Sequence, residues 1–429
     1  MKKIYYITLL FPLALFAQSF LISNIPVPNT KILNLDPYPC DEDCLEEYLE
    51  NGQIFSFLSH SYSQLDNEKL EFARQEYILA LNLKSKITSK KLRIALLLPY
   101  KKIGRYSAST TNASFAYLMA KNRPFELKSY KIETESREDI LNAIKKIEKD
   151  GFYYVIAPLT QSGSDVVSKI NPELNVFFPT INKKDLNTTS KNLYFGGIDY
   201  RAQSDLLLNE AESPLVIFYD QSTIGKKLSV YQEQEFKNKK FIDVNTTLTG
   251  DIIEVVEAKP ELIDNNRTVV KFSIPKRRTN LEKQLKENEE INMGSFILNT
   301  PIIKTGMIMS QLTLYDTNAT NILSTQTNYN PLILSMTQYH DRKNMIIANS
   351  ITQNKDVLIE TNSLLGNDIV YDWINYTTTI GIDYFFHQIS GQDREYDIEI
   401  VDNQMIYPIK LIQPSLSRFI PYISAYSEE

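Results

Sequence analysis

Residues 92–120, LRIALLLPYKKIGRYSASTTNASFAYLMA, set the fold. Ile94 to Leu98 form an apolar run short enough for a buried strand, and Pro99 ends it. A loop with Gly104 and several hydroxyls is expected next. Ala113, Ala116, Tyr117 and Ala120 then recur at helical spacing. An apolar strand, a polar loop and a helix make the first half of a βαβ unit. In open α/β sheets the ligand crevice lies at the carboxyl ends of the strands, so this loop is the first candidate site.

Outward from that stretch the pattern repeats. Strands are expected at Glu126 to Ile132, Tyr153 to Pro158, Asn175 to Phe178 and Leu193 to Ile198. Between the first two lies SREDILNAIKKIEKDG, with Ser136 as N-cap, acids in the first turn and lysines late. A second series begins with the strand PLVIFYD at Pro214 and the helix QSTIGKKLSVYQEQEF. It continues with the strand candidates FIDVNTT, VVKFSIP, Ser295 to Asn299 and PLILSMTQYHD, and the polar helix TNLEKQLKENEE. Residues 367–390 read as a long helix, and EYDIEIVDNQMIYPIKLIQ as a closing hairpin turning at Asp402-Asn403. Alternating strands and helices make a parallel sheet the economical assignment for each series.

Several pieces, in order, resemble type I periplasmic binding proteins. Pro99, Gly104, Arg105, Tyr106, Ser107 and Ala108 resemble the loop after the first strand in the penicillin-binding-protein activator group, and the branched-chain amino acid receptors are similar. Gly225 and Phe236 match a turn glycine and a helix-closing aromatic residue. Gln311, Leu312, Leu314 and Tyr315 resemble another group segment. Gly381, Ile382, Asp383 and Tyr384 resemble its returning helix, with Tyr384 where the family has Ala. The resemblance spans roughly residues 92–412. It implies an α/β, two-lobed fold of two doubly wound parallel sheets, here with a small helical N-terminal extension.

The organisation expected is a signal peptide at 1–19, an arm and short helical extension at 20–91, and the two-lobed domain at 92–429. Lobe 1 is placed at about 92–200 and 362–395, lobe 2 at about 213–350 and 396–429. The leader reading rests on Lys2 and Lys3, the apolar run Ile4 to Phe16 and the small Ala17. It predicts a periplasmic protein with no membrane span after cleavage. In the extension, 41–64 and 67–86 are expected to be helices. Cys40 and Cys44, the only cysteines, stand at a spacing that permits a disulfide in an oxidising compartment. A net charge of −6 argues against nucleic acid as a partner.

No nucleophile elbow, phosphate loop or zinc motif occurs. His60, His340 and His387 are scattered, so neither a metal nor a cofactor is expected, and no catalytic residue is assigned. Strand ends nominate an interlobe cleft: Arg105, Tyr106 and Ser107, then Thr160 and Gln161, then Thr180 and Asn182, and in lobe 2 Tyr219, Asp220 and Gln338. Hydroxyls and free N–H groups at a helix start suit an anion, and tyrosine rings give apolar area plus one hydrogen bond. Amino-acid-binding relatives are similar to one another in a Ser/Thr-rich loop after the fourth strand. Here PTINKKD replaces it, and Asn182 matches an asparagine of the activator group.

Four segments read Asp-x-Asn-x-Thr, around Asn187, Asn245, Asn266 and Asn318. They resemble the acid-extended sequon of bacterial oligosaccharyltransferases, and N-glycosylation is expected at some of them. The function expected is that of a non-catalytic periplasmic binding or envelope factor, similar to activators of cell-wall synthases and acting on a protein partner. The alternative is the solute receptor of an ABC importer, with a small polar ligand. An inert structural component of a periplasmic assembly is the third possibility.

Overall fold

The computed structural model describes residues 32, 34, 38–61, 65–81, 83, 91–121, 123–238 and 267–423. The expected leader, the candidate strand FIDVNTT, and Asn245 and Asn266 lie outside the described residues. The chain divides into two compact units, Met1–Lys91 and Leu92–Glu429.

In the first unit the two expected helices are three: Glu42–Glu50, Ile54–His60 and Glu68–Ala80. Leu45, Phe57, Leu58, Leu70 and Ile78 form its core. Asp41 caps the first helix by accepting the Cys44 N–H at 3.0 Å, and Cys40 and Cys44 are disulfide-bonded with Cα atoms 5.4 Å apart. Arg74 holds Glu71 through two hydrogen bonds of 2.7 Å, and the Leu65 N–H donates to the same carboxylate at 3.0 Å. Burial works against ionisation of Glu71, but these donors outweigh it and keep its pKa below the ordinary value.

The second unit opens with β1 (Leu92–Leu98), β2 (Phe125–Lys131), β3 (Tyr154–Ile156), β4 (Asn175–Phe178) and β5 (Leu193–Phe195). Then come β6 (Leu215–Asp220), β7 (Val269–Ile274), β8 (Gly294–Asn299), β9 (Ala319–Ser324) and β10 (Met345–Asn349). The chain returns to add β11 (Glu399–Val401) and β12 (Gln404–Ile406) to the first sheet, then β13 (Lys410–Pro414) and β14 (Phe419–Pro421) to the second. Among the described residues each sheet has seven strands, ordered β11-β12-β5-β4-β3-β1-β2 and β14-β13-β10-β9-β8-β6-β7.

The apolar run of β1 is buried on both faces, as expected for a central parallel strand. Ile94, Leu96 and Leu98 pack with Tyr117, Tyr376, Ile380 and Phe385, which come from the helices Tyr106–Ala120 and Trp373–Ser390. Ala95 and Leu97 face the opposite core, where the amphipathic helix Arg137–Lys149 brings Ile140, Ile144 and Ile147. Ser136 caps that helix by accepting the Asp139 N–H at 3.2 Å. Lobe 2 repeats the layering. Val216 and Phe218 face Ile308 and Met309, while Leu215 and Ile217 face Leu207, Leu208 and Phe236.

A buried polar node ties the helix Trp373–Ser390 into lobe 1. Asp383 is 0% exposed and accepts hydrogen bonds from the Tyr117 hydroxyl at 2.7 Å, the Glu395 N–H at 2.8 Å and Arg394 Nε at 3.3 Å. Gly381 lets the same helix lie directly on the core, because a Cβ there would meet the Phe177 ring at 2.3 Å. Tyr384, at the position where the resemblance expects Ala, packs at 5.1 Å from the Tyr194 ring.

Several expectations need correction. PLILSMTQYHD is not a strand: Leu332–Met336 and Tyr339–Arg342 are short helices. The strands of that region are β9 and β10, which the sequence reading passed over. The segment TNLEKQLKENEE yields only the single turn Glu282–Leu285. The hairpin β11–β12 belongs to the first sheet, so residues 399–406 fall in lobe 1 rather than lobe 2. The sheets are also not wholly parallel, since β11–β12, β10–β13 and β13–β14 pair antiparallel. A short apolar run such as Leu332–Leu334 does not separate strand from helix by periodicity, which is why the Leu332–Met336 assignment failed.

Candidate functional site: the interlobe cleft

A cleft of about 1580 Å³ lies between the lobes at the carboxyl ends of β3, β4 and β5. Lobe 1 lines it with Thr160 to Ser162, Thr180 to Asn182 and Lys184 to Asn187. Lobe 2 presents one face of the helix Thr223–Asn238, including Ile224, Lys226, Lys227, Val230 and Tyr231. Ile198 to Arg201, Trp373 and Ile374 complete the wall at the chain crossings. This volume exceeds the roughly 300–1,000 Å³ usual for small-molecule pockets.

The polar groups on the lobe 1 wall are already engaged. Thr160 opens the helix Gln161–Ile170, whose first N–H groups are the natural seat of an anion. A carboxylate of the chain itself, from outside the cleft lining, binds the N-cap residue of that helix. Glu135 accepts the Thr160 N–H at 2.7 Å, the Thr160 hydroxyl, and the Ser162 hydroxyl at 3.4 Å. Gly163 makes room for it, since a Cβ there would stand 2.7 Å from Glu135 Cδ. The Thr180 hydroxyl donates to the Leu159 carbonyl at 3.2 Å. Asn182 is buried, donates to the Gly197 carbonyl at 3.1 Å and accepts the Lys184 N–H at 3.0 Å. Gln161 donates to the Asp185 carbonyl at 2.8 Å and accepts from Lys227 Nζ at 3.1 Å, a bond that crosses the cleft.

Charge is distributed unevenly. Five basic side chains line the cleft (Lys102, Lys184, Arg201, Lys226 and Lys227) against three acidic ones, Asp165, Asp185 and Asp199. Lys184 pairs with Asp199 at 2.6 Å, and Arg201 lies 3.7 Å from Asp185. Burial disfavours the Asp199 anion, but Lys184 and the N–H groups of Ala202 and Arg201 outweigh it, so its pKa falls below the ordinary value. Lys102 and Lys226 have no acidic partner among the described residues. The cleft is therefore more cationic than a chain of net charge −6 would suggest.

At the crossing, Tyr200 and Trp373 meet edge to face with centroids 6.3 Å apart. Asp372 caps the helix Trp373–Ser390 by accepting the Ile374 and Asn375 N–H groups. Burial raises its pKa; Asp368 adds to the rise, and the two N–H groups and Arg105 oppose it.

Of the ten nominated residues, Tyr106, Thr160, Gln161, Thr180 and Asn182 line the cleft. Arg105, Ser107, Tyr219, Asp220 and Gln338 do not. The helix begins at Tyr106, so Ser107 sits in its first turn with Oγ buried. Arg105 is exposed and lies over the Tyr106 ring. Asp220 caps the turn after β6 by accepting the Ser222 N–H at 3.1 Å. Gln338 forms a capping box with Asp341 at the short helix that replaces the expected strand. Sequence reasoning missed Lys226, Lys227, Tyr200 and Trp373. The Lys pair after Gly225 and the single tryptophan were the available signals. Among the described residues no group of three or more His, Cys, Asp or Glu side chains could hold a metal ion, and no helix is long and apolar enough to cross a membrane.

No protein-family model matches the sequence, and no curated protein matches it. Solved structures do. An ABC transporter substrate-binding protein from Sphaerobacter thermophilus is 11% identical, with a TM-score of 0.55 over 78% of this chain and 97% of that one. The leucine binding protein LivK from Thermotoga maritima is 11% identical, with a TM-score of 0.50 over 77% and 98%. LpoA from Haemophilus influenzae is 13% identical over 90% of this chain and 72% of that one, with a TM-score of 0.48. The fold is that of the type I periplasmic binding proteins.

Proposed function

We propose that the chain is a non-catalytic factor of the bacterial envelope that works through protein contacts, in the manner of the activators its sequence resembles. The observation that carries this reading is the self-filled wall of the cleft. Glu135, from outside the cleft lining, takes the Thr160 N–H and hydroxyl at the helix start, and Thr180 and Asn182 spend their hydrogen bonds on backbone. A free ligand would have to displace those partners, and an unpaired buried polar group costs about 1–3 kcal/mol. The large cleft and its apolar lining then serve the scaffold, holding two lobes in a shape that a partner protein can read.

The test is a thermal-shift and calorimetric screen of the purified protein against amino acids and other small polar metabolites. No saturable stabilisation is expected, and affinity capture from its own envelope should return a protein partner. A metabolite that stabilises the fold by about 2.7 kcal/mol at a hundred times its Kd, as simple linkage requires, would overturn the proposal. It would favour the second reading, a solute receptor for an ABC importer. Lys102 and Lys226 support that reading, since both line the cleft without an acidic partner among the described residues and would suit an anionic solute.

A further inference from the structure

Six Asn-x-Ser/Thr sequons occur in the chain, at Asn112, Asn187, Asn245, Asn266, Asn318 and Asn375. Four of them carry an aspartate two residues earlier; Asn112 and Asn375 have Thr110 and Trp373 there instead. The structure separates the described sequons along the same line. Asn112 lies inside the helix Tyr106–Ala120, and its amide donates to the Leu365 carbonyl at 3.3 Å. Asn375 is 3% exposed inside the helix Trp373–Ser390, and its amide donates to the Asp368 carbonyl at 3.0 Å. Asn187 and Asn318, which have the aspartate, are exposed and lie between elements. Neither amide side chain hydrogen-bonds within the described residues. Among the described sequons the acid-bearing ones are thus the reachable ones.

We propose that Asn187 is an N-glycosylation site used on the folded protein, and that Asn318 is modified only while the chain is unfolded. In an extended segment, side chains at i−2, i and i+2 share one face. Asp185, Asn187 and Thr189 can therefore be read together by one surface of a transferase, with a cationic group meeting the aspartate. Leu186 is already extended, 187–190 belong to no helix or strand, and only the single 3-10 turn Lys183–Asp185 has to relax to bring Asp185 onto that face. Asp185 is bound only loosely, 3.7 Å from the exposed Arg201. Asn318 differs, because its partner Thr320 lies in the interior strand β9 and donates its hydroxyl to the Met293 carbonyl at 2.8 Å. The donor would be a polyprenyl-diphosphate-linked oligosaccharide. The Asn187 amide nitrogen bonds to the anomeric carbon and the carbon–oxygen bond to the diphosphate breaks. Polyprenyl diphosphate leaves with that electron pair, and the displaced amide proton passes to a base on the transferase. Because Asn187 lines the cleft, the glycan would stand at its mouth. The inference does not depend on whether the cleft takes a solute.

The full-length folded protein should be incubated with an acid-requiring bacterial oligosaccharyltransferase and a short polyprenyl-diphosphate oligosaccharide, then read by intact mass and glycopeptide sequencing. Among the sequons of the described residues, Asn187 alone is expected to carry a glycan. Asp185→Asn should lower its occupancy rate on the order of tenfold, the worth of one charge-assisted hydrogen bond. Asn318→Gln should leave it unchanged. Urea-unfolded protein should gain a glycan at Asn318 that the folded protein lacks, and none at Asn112 or Asn375. Unmodified folded protein, or equal modification of D185N with an unaltered melting curve, would overturn the proposal.

Discussion

Replacing Glu135 by alanine would free Thr160, the cleft residue it holds at the start of the helix Gln161–Ile170. The lost contacts are the Thr160 N–H at 2.7 Å, the Thr160 hydroxyl, and the weak Ser162 contact at 3.4 Å. Hydrogen bonds to a charged acceptor contribute about 1.5–3 kcal/mol each when shielded. Glu135 is only half-buried and water can replace part of the loss, so the whole substitution should cost about 2 kcal/mol. Urea unfolding at neutral pH measures it. Glu135→Gln should lose less, because its carbonyl can still accept the Thr160 N–H. The freed donors give a second readout. Acetate or formate should restore stability to the alanine variant and leave the parent unmoved. At five times a millimolar-range Kd the gain would be about 1 kcal/mol by linkage. An alanine variant as stable as the parent, or one indifferent to small carboxylates, would show that Glu135 does not hold Thr160 as a ligand carboxylate would. The proposed function would then lose its main support.

Gly381→Ala should destabilise the two-lobed domain by about 3 kcal/mol, because its Cβ would overlap the Phe177 ring at 2.3 Å; Phe177→Leu in the same chain should recover part of that loss in denaturant titrations. Asp383→Ala leaves Arg394 and the Tyr117 hydroxyl without their acceptor and should cost about 3–5 kcal/mol, with Asp383→Asn costing less. In the N-terminal unit, the folded pKa of Glu71 lies below its ordinary value of 4.5. Its stabilising contribution is therefore complete above pH 4.5 and fades as pH falls below it through the folded pKa. Urea titrations from pH 6 to pH 3 should show this slope, and Glu71→Gln should flatten it.

Much of the architecture could be read from the chain because its elements announce themselves locally. The run at Ile94 to Leu98 is uninterrupted, as a strand buried on both faces must be. The helix Arg137–Lys149 shows its cap, its charge gradient and its apolar stripe. Where local signals conflict, the reading failed. Leu332 to Leu334 is apolar but short, while β9 begins with the polar ATN, and so the strand was placed too late. Gln338 was lost from the site for the same reason. The cleft was half legible. Strand ends nominated Thr160, Gln161, Thr180 and Asn182, all of which line the cleft, since topology puts those ends together. That Glu135 reaches across 25 residues to occupy Thr160 is a tertiary fact with no sequence periodicity behind it. Lys226 and Lys227 look like ordinary solvent-facing positions of an amphipathic helix until the opposite lobe is in view.

The split between β11–β12 and β13–β14 has a kinetic consequence. Both halves are completed by residues 399–421, and the first also needs the helix Trp373–Ser390 against β1. During synthesis, then, neither half can close its sheet until some 300 residues after β1 have followed it, a separation that slows native pairing. Both halves of the nascent polypeptide would therefore stay open until its late strands have left the ribosome.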